Sequence, residues 1–326
     1  MKLGIYGFGS IGRLLAKVAI SRGHEIVAVV DVDEKVVGKD IGEILGTEKY
    51  GVNVSKEIQV LGESDTVLHA TRSYLNEVYQ QILSVIEMGV NVVSTCETLA
   101  FPYYRYPVLA RKLDEIARSY GVVVIGTGIN PGFLLDTLAT VLSSTVPVVK
   151  SIKAVRSLDA AKRREPFRKK IGVNEDPETV KRMMEKKLIT GHVGYAESVY
   201  LIASAGDIEL TRVVEYQEPV PAMEPVESAG VRVESGMNKG IRGYGVGYVG
   251  DREVIRIELH AYVGAPEYDE ITINGEDYTI TWRSTGTPGD LSTASVVMSV
   301  AEKTQWFPPG LRLMTELIPF RIHFSI

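Results

Sequence analysis

The sequence predicts an α/β fold class: a doubly wound parallel sheet, then a second α/β domain built on an open mixed sheet. Three observations predict it. Short, continuous Val/Ile-rich runs recur through the first 125 residues with helical spacing between them, the pattern of a parallel sheet covered on both faces. A glycine-rich turn follows the first run at once. Beyond Asn130-Pro131-Gly132 the strands lengthen and begin to alternate apolar with polar, as antiparallel strands with one solvated or site-lining face do.

In chain order, Lys2 to Tyr6 is the first strand and stops at Gly7. Ile11, Leu14, Leu15, Val18 and Ala19 then recur at helical spacing, with Gly23 as the stop. Glu25 to Val30 is the second strand, ending at Asp31. Thr66 to Ala70 is the third, followed by a helix through Val78, Ile82, Val85 and Ile86. Asn91 to Ser94, a helix over Val108 to Ser119, and Val122 to Ile125 complete the pattern. After a helix from Phe133 to Leu142, Val254 to Ala261 alternates strictly. Ile255, Ile257, Leu259 and Ala261 share one face; Arg256, Glu258 and His260 share the other. Asn274-Gly275 reads as a hairpin turn. A last helix spans about Leu291 to Lys303, and Pro308-Pro309-Gly310 opens an irregular tail. The expected domains are 1–134, binding a dinucleotide, and 135–290, binding substrate, with about 291–326 packing back on the first.

Length and composition exclude whole classes of function. A chain of 326 residues, 45% of them hydrophobic, needs no covalent staple; one this long buries about 75% of its unfolded surface. Its one cysteine, Cys96, forbids an intrachain disulfide and fits a reducing, cytoplasmic setting. A net charge of −5 offers no global attraction to nucleic acid or anionic lipid. No apolar run reaches the roughly 18 residues of a membrane helix. The N-terminus runs straight into the glycine turn, which leaves no room for a signal peptide. Small molecules are the expected partners, and no His, Cys, Asp or Glu cluster has metal spacing.

Gly7-Phe8-Gly9-Ser10-Ile11-Gly12 spells G-x-G-x-x-G, a weak signal alone. Here it follows a strand, opens a helix and lies within a βαβ unit of about thirty residues. Gly7 makes the tight turn, Gly9 lets backbone approach a pyrophosphate, and Gly12 allows close helix–strand packing. The phosphates would sit on free N–H groups at the helix N-terminus. Asp31, nineteen residues after Gly12, ends the second strand where an acid accepts hydrogen bonds from the adenosine ribose. Its charge favours NAD(H), whereas Lys35 and Lys39 just downstream would pair with the extra phosphate of NADP(H), unless they are solvated surface. The expected cofactor is one of these two.

Ligands of open α/β sheets bind beyond the carboxyl ends of the strands. That rule nominates Thr71, Arg72 and Ser73, then Thr95, Cys96 and Glu97, then the stretch Gly126 to Gly132 with Gly128 and Asn130. Phe133, directly after it, is a candidate for the substrate pocket. Glu97 is the only acid at these later tips, and its apolar neighbours Leu99, Phe101 and Pro102 suit a carboxyl that relays protons near neutrality. The alternative is an N-terminal residue of the following helix. Cys96 is either a nucleophile or a small buried hydrophobe.

In the second domain, Arg156 ends a strand and is a candidate for a bidentate grip on a substrate carboxylate, or for a salt bridge. Lys162 to Lys170 holds six basic residues in nine. It is a solvated loop, a nucleic-acid contact, or mobile cover over an anionic ligand. His192, between two glycines, is a structural histidine or a site residue.

The glycine turn, Ser94-Thr95-Cys96-Glu97-Thr98-Leu99-Ala100-Phe101-Pro102, Gly126-Thr127-Gly128-Ile129-Asn130-Pro131-Gly132-Phe133 and Gly191-His192-Val193-Gly194-Tyr195-Ala196-Glu197-Ser198 occur in this order. With Tyr262-Val263-Gly264-Ala265 and the Pro309-Gly310-Leu311 tail, they resemble the 2,4-diaminopentanoate dehydrogenases and related native amine dehydrogenases. Those are similar in outline to dihydrodipicolinate reductases. The resemblance runs nearly end to end. It implies a Rossmann domain plus a dimerising α/β domain, hence a homodimer, with Glu97 as catalytic acid/base. It also raises His192 to a site candidate.

Two departures stand out. The paired histidines and K-x-D-x-P-S-G-T segment of dihydrodipicolinate reductases are absent, and the five histidines (His24, His69, His192, His260, His323) are scattered. The N-D-x-S-P-F-G-P-like stretch of diaminopentanoate enzymes is replaced after Arg156 by Ser157-Leu158-Asp159-Ala160-Ala161-Lys162-Arg163-Arg164-Glu165-Pro166-Phe167.

The expected activity is NAD(P)-dependent oxidation at a C–N bond, reversible with ketone and ammonia. The alternatives are a catalytically silent NAD(H)-binding sensor, which needs no Glu97, and an imine reductase of the dihydrodipicolinate reductase kind.

Overall fold

The computed structural model describes residues 1–319 and 321–325. The chain divides into two compact units, one of residues 1–134 with 288–319 and one of 135–287 with 321–325.

The first unit opens with β1 (Lys2–Tyr6), α1 (Ser10–Ser21), β2 (Glu25–Val30), α2 (Ile41–Leu45) and β3 (Val54–Ser55). Then come β4 (Thr66–His69), α3 (Leu75–Ile86), β5 (Asn91–Ser94), α4 (Pro102–Arg105), α5 (Pro107–Ser119) and β6 (Val123–Gly126). Their strands lie parallel in the order β3-β2-β1-β4-β5-β6, so the chain reverses its direction of winding between β1 and β4. Leu15, Ala16 and Ala19 of α1 pack on one face of the sheet, Val78, Ile82 and Val85 of α3 with Leu113 and Ala117 of α5 on the other. Each such side chain larger than alanine contributes about 1.5–3 kcal/mol by leaving water. The β2–β3 connection is organised by Asp40, whose carboxylate accepts the N–H groups of Gly42 (2.8 Å), Tyr50 (2.8 Å) and Gly51 (2.7 Å). Burial pushes this carboxyl up, but those donors outweigh it and hold it below its ordinary value.

The second unit contains α6 (Thr137–Ser143), β7 (Val149–Asp159), α7 (Glu165–Lys170), α8 (Pro177–Glu185), α9 (Tyr195–Gly206) and β8 (Arg212–Pro221). A small hairpin, β9 (Val226–Ser228) with β10 (Val231–Val233), precedes β11 (Asn238–Val249), β12 (Arg252–Tyr262), β13 (Tyr268–Gly275) and β14 (Thr279–Ser284). The sheet order is β14-β13-β7-β12-β11-β8, mixed because β7 and β12 run parallel. Along β12 the expected alternation is present: Ile255, Ile257, Leu259 and Ala261 are buried, while Arg256, Glu258 and His260 are half-exposed. Helix α9 presses on β11 because alternate β11 positions are glycines. A Cβ at Gly243 would stand 2.4 Å from the Tyr195 hydroxyl, and one at Gly247 2.8 Å from Val199 Cγ1.

The chain then returns to the first unit with α10 (Gly289–Ala301) and β15 (Gly310–Arg312). Here the structure corrects the irregular tail: β15 is a seventh parallel strand beside β6. Three residues are too few to show periodicity. The Asn274-Gly275 hairpin turn is also corrected, since Asn274 still pairs with Thr279 and the turn lies at 276–278. Gly275 is glycine for space, because a Cβ there would meet Val146 Cγ1 at 2.6 Å. The helix expected over Phe133 to Leu142 begins only at Thr137, where the Asp136 carboxylate accepts the Thr137 N–H (2.6 Å).

Candidate active site

The three glycines of the turn meet three different surroundings. Gly7 has φ +94°, and a Cβ would lie 2.5 Å from the Ala70 carbonyl. Gly12 sits so close to β1's end that a Cβ would be 1.9 Å from the Gly7 oxygen. At Gly9 a Cβ would meet nothing within 4 Å. Gly9 and Ser10 are exposed, and the N-terminus of α1 has no side-chain cap. The first N–H groups of this helix therefore face open space beside a bare glycine, which fits a pyrophosphate. Ile11 points the other way, into the apolar layer. Phe8 is fully buried in that layer, its carbonyl accepts Arg13 Nε (3.1 Å), and its N–H is given to Asp31 (2.5 Å). Phe8 thus offers a ligand no side chain. The other Asp31 oxygen accepts the Asp33 N–H (2.8 Å). One carboxylate ties the second strand to the glycine turn, bringing together two motifs nineteen residues apart. Lys35 and Lys39 are both exposed.

The strand tips of the first unit are also tied together. Thr95 N–H donates to the His69 carbonyl (2.9 Å), Thr98 N–H to the Ser73 carbonyl (3.1 Å) and Thr127 N–H to the Ser94 carbonyl (2.9 Å). The Thr71 hydroxyl donates to Gln81 Oε1 (2.7 Å). Arg72 reaches into solvent, 4.0 Å from Glu77. Near Gly128 and Asn130, Ile129 N–H donates to Thr293 Oγ1 (3.3 Å). Phe133 packs half-buried against the apolar layer of this unit.

Glu97 is half-buried and opens a single 3₁₀ turn, Glu97–Leu99, directly beyond β5. So short a turn carries little helix dipole, and α4 starts only at Pro102. Gly126 makes the turn possible: a Cβ there would lie 2.4 Å from the Leu99 carbonyl carbon. Cys96 is 1% exposed, and burial reinforced by the Glu97 charge pushes its thiol up to about 12. It is a core residue, with no thiolate to attack anything.

In the second unit, Arg156 and Asp269 form a buried ion pair (3.7 Å, side chains 3% and 1% exposed). Arg156 Nη2 also donates to the Thr287 carbonyl (2.6 Å), and Asp269 accepts Ser284 Oγ (2.8 Å) and Thr287 Oγ1 (2.6 Å). Breaking such a pair from one side costs about 3–5 kcal/mol, so Arg156 supports the unit whatever else it touches. The His192 ring stands edge-on to Tyr195, centroids 4.6 Å apart. Burial, then the charges of Lys170 and Arg156, lowers the His192 pKa to about 3, which keeps the imidazole neutral. Tyr195 is 2% exposed, and among the described residues its hydroxyl has no hydrogen-bond partner.

The basic run is largely absorbed by local contacts. Lys162 pairs with Glu267 and Lys169 with Glu165 (2.7 Å), while Arg163 stacks over Phe167.

Sequence reading missed Gln217. Its Oε1 accepts the His192 N–H (2.9 Å) and its Nε2 donates to the Thr190 carbonyl (2.9 Å). It fills the space where a Cβ of Gly191 would stand, 2.4 Å from Oε1. Nothing around residue 217 signals this. The Gly243-x-Gly245-x-Gly247 stripe is different, since period-two glycines in a strand do mark a close approach on one face.

A sheet reversing between β1 and β4, with G-x-G-x-x-G at the reversal and an acid after the second strand, is the architecture of dinucleotide-dependent oxidoreductases. Residues 133–323 match the 2,4-diaminopentanoate dehydrogenase C-terminal domain family, and residues 1–98 the N-terminus of dihydrodipicolinate reductase. The 2,4-diaminopentanoate dehydrogenase of Acetoanaerobium sticklandii is 28% identical, over 97% of this chain and 93% of that one. The amine dehydrogenase structure from Mycobacterium smegmatis shares the fold with a TM-score of 0.85 at 21% identity, covering 98% and 97% of the two chains. A dipicolinate-bound dihydrodipicolinate reductase from Paenisporosarcina sp. TG-14 is more distant, with a TM-score of 0.52, 14% identity, and 98% and 99% coverage. The chain belongs to the 2,4-diaminopentanoate dehydrogenase C-terminal domain family. It is an amine dehydrogenase-like oxidoreductase. Among the described residues no helix is long and apolar enough to cross a membrane, and no His, Cys, Asp or Glu group could hold a metal.

Proposed function

We propose that this protein catalyses the reversible oxidative deamination of an amine or diamino acid, with NAD(H) or NADP(H) as cofactor and Glu97 as acid/base. The observation that carries the reading is Glu97 itself: a half-buried carboxylate beyond β5, in a sheet whose reversal point bears the glycine turn. Its similarity to the 2,4-diaminopentanoate dehydrogenase of Acetoanaerobium sticklandii points the same way.

Gly9, Ser10 and the uncapped N-terminus of α1 would hold the pyrophosphate, and Asp31 the adenosine ribose. A bound nicotinamide cofactor supplies the hydride acceptor for the amine-bearing carbon. Once that carbon is an iminium, Glu97 takes a proton from the attacking water as the new C–O bond forms and returns it to nitrogen. As the C–N bond breaks and ammonia leaves, the carbinolamine hydroxyl gives its remaining proton to Glu97 and the C=O bond forms. The reverse sequence makes the amine from ketone and ammonia. In this reading the backbone at Thr71, Arg72, Ser73, Thr95, Gly128 and Asn130 faces the cofactor. Phe133, Arg156 and His192 are the substrate-side residues, and a neutral His192 accepts or donates a hydrogen bond without adding charge.

The test is a panel of carbonyl compounds with ammonia and NADH or NADPH, followed by absorbance, then Glu97→Gln on any substrate found. General acid/base catalysis is worth about 10²–10⁴-fold, so Glu97→Gln loses roughly that much turnover in both directions. Its NADH titration matches the parent. Turnover near the parent level would remove Glu97 from the mechanism.

A further inference from the structure

We propose that His69 is a positioning residue for the Glu97 turn, acting through the Ser94 hydroxyl. The proposal rests on the acid/base reading of Glu97, and nothing in the glycine turn or the other strand tips accounts for a histidine here.

His69 closes β4 with 0% exposure, beneath the tips of β4 and β5, and every polar atom of its ring is engaged. Gln81 Oε1 can only accept, so the ring proton belongs on Nε2, facing it (2.9 Å) and Thr71 Oγ1 (2.9 Å). Nδ1 is then bare and takes the Ser94 hydroxyl proton (2.8 Å), while the Ser94 oxygen accepts the Cys96 N–H (3.1 Å). Gln81 comes from α3, and the edge of the ring plane is fixed by Tyr6, centroids 5.5 Å apart.

One imidazole thus joins the β4 tip, the α3 helix and the residue just before Glu97. A buried polar network with every member satisfied is rigid, whereas one missing partner leaves costly unpaired groups. The Cys96 N–H is the critical link. Cys96 is the last residue before the 3₁₀ turn, and its carbonyl accepts the Leu99 N–H that closes that turn (3.0 Å). Burial lowers the His69 pKa to about 4, so the neutral ring this arrangement requires persists across ordinary working pH.

The experiment compares His69→Leu with His69→Asn, reading kcat, KM, NADH affinity and hydrogen exchange at the Cys96 amide. His69→Leu keeps the bulk and removes all three ring hydrogen-bond contacts, to Ser94, Gln81 and Thr71. His69→Asn places a carboxamide where Nδ1 was and still meets Ser94. A misplaced catalytic group costs up to about 10²-fold. His69→Leu should therefore lose about 10- to 100-fold in kcat, with little change in KM or NADH affinity and faster exchange at Cys96. His69→Asn should recover most of both losses. If His69→Leu does not fold, Ser94→Ala removes the same link and carries the same expectation. Unchanged Cys96 protection in His69→Leu overturns the proposal. So does an Asn variant no better than the Leu variant, or kcat and NADH affinity falling in parallel. Should Glu97→Gln prove fully active, the acid/base reading fails by itself, and the Cys96 exchange still decides whether His69 holds the turn.

Discussion

The glycine turn at residues 7–12 and the loop at 190–192 both place a glycine beside a candidate binding residue, yet for opposite reasons. In the turn, the constraints come from backbone. Gly12 faces the Gly7 carbonyl within its own βαβ unit, Gly7 faces the Ala70 carbonyl just beyond the neighbouring strand β4, and a Cβ at Gly9 would meet no described atom within 4 Å. At Gly191, φ is +59° and the space a Cβ would need is taken by Gln217, from a strand twenty-six residues later. The first arrangement repeats wherever a chain must present helix N–H groups to a phosphate, so it has a spelling. The second depends on one side chain bridging the Thr190 carbonyl and the His192 N–H, and has none.

The strongest way to sharpen this contrast is inside the turn. Gly9→Val should abolish NAD(H) binding with only a small loss of thermal stability, because the space at its Cβ is open and the fold loses only a favourable helix N-cap residue. Gly12→Ala should do the reverse, losing stability because its Cβ collides with the Gly7 carbonyl. Calorimetric titration and melting curves on both variants read the difference. Undiminished NAD(H) binding by Gly9→Val would refute the site. A smaller effect is expected in the loop. Gln217→Ala removes two hydrogen bonds worth about 0.5–1.5 kcal/mol each. It should raise the substrate KM about tenfold while NADH affinity stays put, and equal losses in both would show that Gln217 only supports the fold. The smallest effect concerns coenzyme choice. Asp31→Ser should shift preference toward NADP(H) by removing repulsion near Lys35 and Lys39. It should also weaken both coenzymes, because Asp31 holds the Phe8 N–H. An unchanged NADH-to-NADPH ratio of KM values would show that the two lysines point elsewhere.

The sequence alone determined the parallel sheet, because strands buried on both faces must be written as unbroken Val/Ile runs. It likewise determined the tight turn at Gly7, the close approach at Gly12 and the strand-tip positions of Asp31 and Glu97. These are properties of residue type and spacing along the chain. Only the tertiary structure decided what distant partners do. It buried Phe8's side chain and spent its N–H on Asp31. It committed Arg156 to Asp269, made residues 310–312 a strand beside β6, and fastened His192 through Gln217. It also set His69 under the Ser94 hydroxyl, twenty-five residues away in sequence and 2.8 Å in space. Hydrogen bonds and ion pairs are contacts between atoms brought within about 3 Å. A pattern along the chain records which faces are apolar, whereas which polar atoms meet depends on how those faces pack.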